Sequence, residues 1–152
     1  DGRHLVFVIP SPRLPDARAT RLSAAGTLGL RVATRSETFT SDEVRLAAGS
    51  TFSVAGFDLE VESAGKSEWG AGYQVTLNSR RDLTAIVSWS LVTPEGARLE
   101  LRPSMSMSGM GTWQQTLELE AKVESAGFRV ECWQDLTTVE VPFEVEAGLG
   151  LR

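Results

Sequence analysis

Apolar and polar residues alternate with a period of two along most of this chain, and that period suits a strand with one covered face and not a helix. Phe57, Leu59 and Val61 alternate with Asp58, Glu60 and Glu62. The same pattern runs through Leu28, Leu30 and Val32, through Tyr73, Val75 and Leu77, and through Ala85, Val87, Trp89 and Leu91. Leu99 and Leu101, then Trp113, Gln115, Leu117 and Leu119, then Phe128, Val130 and Cys132 continue it. Val139, Val141, Phe143 and Val145 close the chain, in opposite phase to Glu140, Glu144 and Glu146. His4 to Ile9 is an unbroken apolar run, as expected of a strand covered on both faces.

Turn chemistry punctuates these runs at short spacing. Thr93-Pro94-Glu95-Gly96 has proline second and glycine fourth, which predicts a type I turn and a hairpin. Ala-Gly steps at Ala25, Ala48, Ala64 and Ala126 predict further breaks, and Asn78 to Asp82 a polar loop. Only Asp16 to Ala25 leaves room for a short helix. The sequence therefore predicts an all-β, antiparallel β-sandwich, immunoglobulin-like, of about nine to eleven strands, in a single domain spanning 1–152. Val-Glu-Ser-Ala-Gly occurs at Val61 and again at Val123, but the flanking residues do not keep register, so two similar strand ends are expected and not a duplication.

Composition narrows the function classes. A formal net charge of -5 opposes affinity for phosphates, so no nucleic-acid partner is expected. No run approaches the roughly 18 apolar residues of a membrane helix, so no membrane insertion is expected either. Arginines dominate residues 1–35 and carboxylates residues 113–152, which reads as two solvated faces or as the complementary halves of a contact. A start at Asp1, without Met, is read as a mature product or an excised domain, so the missing leader does not argue for the cytoplasm.

The only His is His4 and the only Cys is Cys132, in phase with the core, so a nucleophile–base pair, the usual zinc sites and an internal disulfide are all unsupported. Glu60, Glu62, Glu118, Glu120, Glu140, Glu144 and Glu146 occupy outward strand positions; Glu68, Asp82 and Asp135 are loop positions from which a hydrolase would have to be built. Met105, Met107 and Met110 fall together in a Gly/Ser-rich stretch read as a loop, a soft donor set for Cu(I) or a cover for a sheet edge. In composition alone that stretch resembles the Met-rich loops of periplasmic copper carriers with β-sandwich folds. Trp69, Tyr73 and Trp133 are the aromatic residues placed to stack a sugar ring or anchor a partner. Pro10 to Pro15 has PxxP spacing, a proline-domain ligand or a stiff crossing between sheets.

These features predict a non-catalytic, extracytoplasmic module for protein interaction or structural support, with no enzyme activity, no cofactor and no resident metal. The alternative is a ligand-binding module, for a glycan through Trp69, Tyr73 and Trp133 or for Cu(I) through the methionines. A carboxylate hydrolase stands third. The interaction reading predicts an unpaired sheet edge or exposed apolar patch near Trp133 or along Thr137 to Ala147.

Overall fold

The computed structural model describes residues 6–8, 10, 16, 18–67 and 72–148. Ten strands form and no helix does among these residues. They are β1 (Arg21–Val32), β2 (Arg35–Arg45), β3 (Thr51–Val54), β4 (Phe57–Lys66), β5 (Tyr73–Ser79), β6 (Ile86–Val92), β7 (Arg98–Gly109), β8 (Thr112–Leu119), β9 (Ser125–Gln134) and β10 (Thr137–Gly148). The chain divides into two compact units, one of residues 1–31 and 138–152, the other Val32–Thr137.

In the larger unit eight strands form one antiparallel sheet in the order β2-β9-β6-β7-β8-β5-β4-β3. Its two end strands, β2 and β3, lie against each other, so the sheet nearly closes into a barrel. Where two separate sheets were expected, a single strand carries the turn of the corner. β7 pairs with β6 through Leu101, then with β8 from Arg102 onward, with a bulge between Pro103 and Met105. Pro103 has no N–H to extend the β6 ladder, and bulges bend the strand that carries them.

The inward phase is the one legible in the sequence. Phe57, Leu59 and Val61 of β4, Val75 and Leu77 of β5, Trp89 and Leu91 of β6, Leu117 of β8, and Phe128, Val130 and Cys132 of β9 are all buried. Phe128 stacks on Phe52 of β3 with ring centroids 4.4 Å apart and planes 9° from parallel. That pair joins β3, one end strand of the order, to β9, the neighbour of the other. Val87, expected in the core, is 41% exposed because a bulge between Ile86 and Ser88 turns it out of phase.

Turn chemistry decides the hairpins. At Thr93–Gly96 the Gly96 N–H donates to the Thr93 carbonyl at 2.8 Å, as the Pro-Glu-Gly signature predicts. Gly49 supplies positive φ at a turn, but the other three Ala-Gly steps lie inside β1, β4 and β9, where extended glycine fits as well. Two two-residue turns place positive φ on a residue that disfavours it: Ala55-Gly56 (φ 53 and 76) and Met110-Gly111 (φ 50 and 78), each joining adjacent antiparallel strands as type I′ turns do. Met110 is fully exposed and holds no packing there. Met110→Asn is therefore expected to raise stability by about 1 kcal/mol, read as a higher urea midpoint at unchanged slope; an unchanged or lower midpoint would contradict the turn assignment.

The smaller unit holds β1 paired with β10. Phe143 packs its ring against the space above Gly26 and meets Phe7 edge-on at 5.2 Å. A two-stranded ribbon has little to cover it. Val139, Val141 and Val145, expected to line a core, are accordingly 39–50% exposed. The stretch allowed a helix starts instead with a turn, Asp16 accepting the Arg18 N–H at 2.8 Å, and from Arg21 it is strand. The His4–Ile9 run is not a covered strand where it is described: Val6 and Val8 are 90% and 86% exposed and belong to no strand. The 11–15 portion of the PxxP stretch lies outside the described residues.

Candidate binding edge

Which residues of a barrel can meet a partner depends on where its ladder is incomplete. The β6–β7 ladder ends at the pair Trp89–Leu101. Beyond it the two strands diverge: Ile86 to Ser88 keep only β9 as neighbour, and Pro103 to Gly109 keep only β8. Two unpaired strand edges thus face each other across a gap.

The gap is a cleft of about 380 Å³. Leu83, Ile86, Val87 and Trp89 line one side and Pro103, Met107 and Trp113 the other. Its volume lies in the range of side-chain and small-ligand pockets, about 300–1,000 Å³. Polar atoms at its back are already engaged. Gln115, 8% exposed, accepts from Ser106 Oγ at 2.5 Å and donates through Nε2 to the Met105 carbonyl at 2.9 Å. Gln115 therefore fastens the edge strand at its bulge.

The edge itself carries no charge. Residues 103–117 contain no Asp, Glu, Lys or Arg, the longest such stretch in the chain, and every residue from Arg102 to Gly109 is exposed. Residues flanking a two-residue hairpin turn exchange both main-chain bonds, and the pattern alternates from there. Gly109 and Met107 thus address β8, while Ser108 and Ser106 turn their N–H and C=O toward the open side. Natural proteins usually guard such an edge with charge, a bulge or a cover. Here one bulge sits at Pro103/Met105 and the following stretch is bare.

The methionines belong to this edge and not to a loop. Met105 and Met107 lie two apart on β7, 52% and 58% exposed on the same face, and Met110 sits on the turn. Ser-Met alternation is itself a period of two, and the Gly and Ser content masked it.

The two described aromatic candidates lie on different strands, Tyr73 on β5 and Trp133 on β9. Trp69 lies outside the described residues. Tyr73 is half-buried at the start of β5, beside a small hollow of about 60 Å³ with Leu119 and Val123. Trp133 stands on β9, 42% exposed, its main-chain N–H donating to the Ala85 carbonyl at 2.8 Å. The hollow beside Tyr73 does not include Trp133.

The remaining chemistry is similarly dispersed. Of the loop carboxylates, Glu68 lies outside the described residues, Asp82 accepts the Thr84 N–H at 2.7 Å, and Asp135 pairs with Arg35 at 3.1 Å. Among the described residues no three His, Cys, Asp or Glu side chains are grouped to hold a metal ion. Burial, with a smaller contribution from the Glu131 charge, pushes the Cys132 thiol up to about 11, so it stays protonated at neutral pH. A wider depression of about 800 Å³ on β3 to β5 mixes both charge signs; there Arg81 already donates to the Gly56 carbonyl at 2.5 Å and lies over the Phe57 ring. Among the described residues no helix is long and apolar enough to cross a membrane.

The sequence reading missed the β7 edge, although its freedom from charge was there to see. Compared with protein-family models, with curated proteins and with solved structures, the chain matches none.

Proposed function

We propose that this chain is a non-catalytic interaction module that binds an extended polypeptide strand along the open edge of β7. The observation that carries this reading is the charge-free, exposed run from Pro103 to Gly109, unpaired on the side that faces an apolar cleft. An added strand would satisfy the outward N–H and C=O of Ser106 and Ser108 and place alternate side chains in the cleft, which is how strand addition couples affinity to selectivity. The preferred partner segment is uncharged, because neither the edge nor the cleft offers a counter-charge. An extracytoplasmic setting remains part of the proposal, by analogy with other small all-β modules.

Selection of extended peptides from a displayed library against the full chain tests it. Uncharged, β-branched and aromatic sequences are expected, and Met107→Lys on the edge is expected to weaken them more than about tenfold, with the melting temperature unchanged. Binders that survive Met107→Lys and are lost with Trp133→Ala or Tyr73→Ala would instead support the aromatic ligand site and overturn this reading.

A further inference from the structure

Two unsatisfied features of the chain have matching chemistry. One is the β7 edge, short of a strand. The other is the segment Leu5-Val6-Phe7-Val8-Ile9, whose five residues are all apolar and dominated by strand-favouring types. Such a segment normally buys its place in a sheet; here Val6 and Val8 are almost wholly in solvent and join no strand. Leaving two valines so exposed forgoes roughly the burial of a full side chain each, an arrangement that commonly marks a surface awaiting a partner.

Resting on the strand-addition reading above, we propose that the occupant of the β7 edge is the Leu5–Ile9 segment of a second copy of this chain. Three observations favour that occupant. The segment is uncharged, as the edge and cleft require. In an extended segment Val6 and Val8, two apart, would share one side, so they supply exposed apolar side chains at the spacing with which a strand meets a cleft. Residues 10–20 separate it from β1 and include three prolines, Pro10, Pro12 and Pro15, a composition that favours extended tethers over compact ones. Eleven residues reach at most about 35–40 Å when extended, ample for a neighbouring molecule.

Donor segment and acceptor edge are different surfaces of the chain, so the contact is heterologous. It leaves one free segment and one free edge on any open assembly, which can then grow.

Complementation between two full-length variants tests the proposal. Val6→Asp with Val8→Asp spoils the segment and keeps the edge; Met107→Lys spoils the edge and keeps the segment. All three sites are exposed, so both variants are expected to keep the circular dichroism and melting temperature of wild type measured dilute enough to be monomeric. By native mass spectrometry and light scattering, wild type is expected to form concentration-dependent oligomers and each variant alone to be monomeric. Their mixture is expected to give a capped 1:1 dimer and nothing larger, at least about tenfold tighter than self-association of either variant. Monomeric wild type at every concentration, or a mixture that stays monomeric, overturns the proposal. A synthetic Arg3–Pro10 peptide separates the second-copy occupant from strand addition itself. Its binding to the Val6→Asp/Val8→Asp protein, lost on adding Met107→Lys, supports the assignment. Failure of that peptide while library-selected peptides still bind the edge overturns only the second-copy occupant; failure of both overturns strand addition itself.

Discussion

Phe128→Ala is expected to destabilise the larger unit by about 3–5 kcal/mol, the range for removing a large aromatic side chain from a closed core. Phe128 has no exposed surface, so the whole ring's transfer energy and the cavity left behind both count. It also lies where the sheet comes nearest to closing. Phe128 is on β9, next to the end strand β2, and Phe52 is on β3, the other end strand, so their stacked rings bridge the closure, where no strand ladder joins β2 to β3 among the described residues. Against a typical stability of about 5–15 kcal/mol the loss leaves a marginal domain. Equilibrium urea unfolding followed by tryptophan fluorescence measures it. A double-mutant cycle with Phe52→Ala should return a coupling of about 0.5–1.5 kcal/mol, the increment of a stacked pair beyond its buried area. Additive effects of the two substitutions would mean that the rings fill space independently and that barrel closure rests on other contacts.

The second large effect is expected at Gly72, on the approach to β5. Its φ is +123°, a region that side chains rarely enter, and a Cβ built there would lie 2.7 Å from the Leu119 carbonyl oxygen. Main chain on both sides leaves nothing flexible to yield: Gly72 O accepts the Ser67 N–H at 3.1 Å, and Leu119 pairs with Tyr73. Gly72→Ala is accordingly expected to cost about 2–3 kcal/mol, combining left-side backbone strain with displacement of β8. Gly65 provides the contrast. It sits in extended β4 with open space where a Cβ would go, so Gly65→Ala should be neutral or slightly stabilising through the unfolded chain. Thermal unfolding of the pair distinguishes a local requirement at Gly72 from a general intolerance of β4 and β5 to added bulk. Equal melting temperatures for the two variants would refute the assigned backbone conformation.

Both experiments probe the barrel, whereas the binding edge is independent of that core. Met107, Val6 and Val8 are exposed, so their substitution should change association and leave unfolding midpoints near those of dilute, monomeric wild type. Stability and assembly thereby become separable properties of one chain.

Much of the strand content was readable from residue order because period two is a local property. Phe57, Leu59 and Val61 had to share a face whichever strand they met, and Thr93 to Gly96 had to turn because proline and glycine restrict φ locally. The phase failed where a bulge intervened, at Val87, where a strand had too little around it to cover its apolar face, as at Val32 and at Val139 to Val145, and at Leu99 of β7, which is 37% exposed. The Met105–Met110 stretch looked like a loop because Ser and Gly are turn residues; pairing with Gln114, Gln115 and Thr116 makes it a strand.

The sequence by itself determined the all-β class, the inward phase of β4, β5, β8 and β9, and the burial of Cys132. Tertiary structure alone decided which strands became neighbours, that the sheet nearly closes, and that β7 leaves β6 after Leu101. Neighbour choice rests on pairs far apart in the chain, such as β2 with β9 and β6 with β9, whose formation depends on the summed burial of the whole barrel and not on any one segment. An unpaired edge is what remains after those choices, so Ser106 and Ser108 became a candidate site only once every other strand had found its partner.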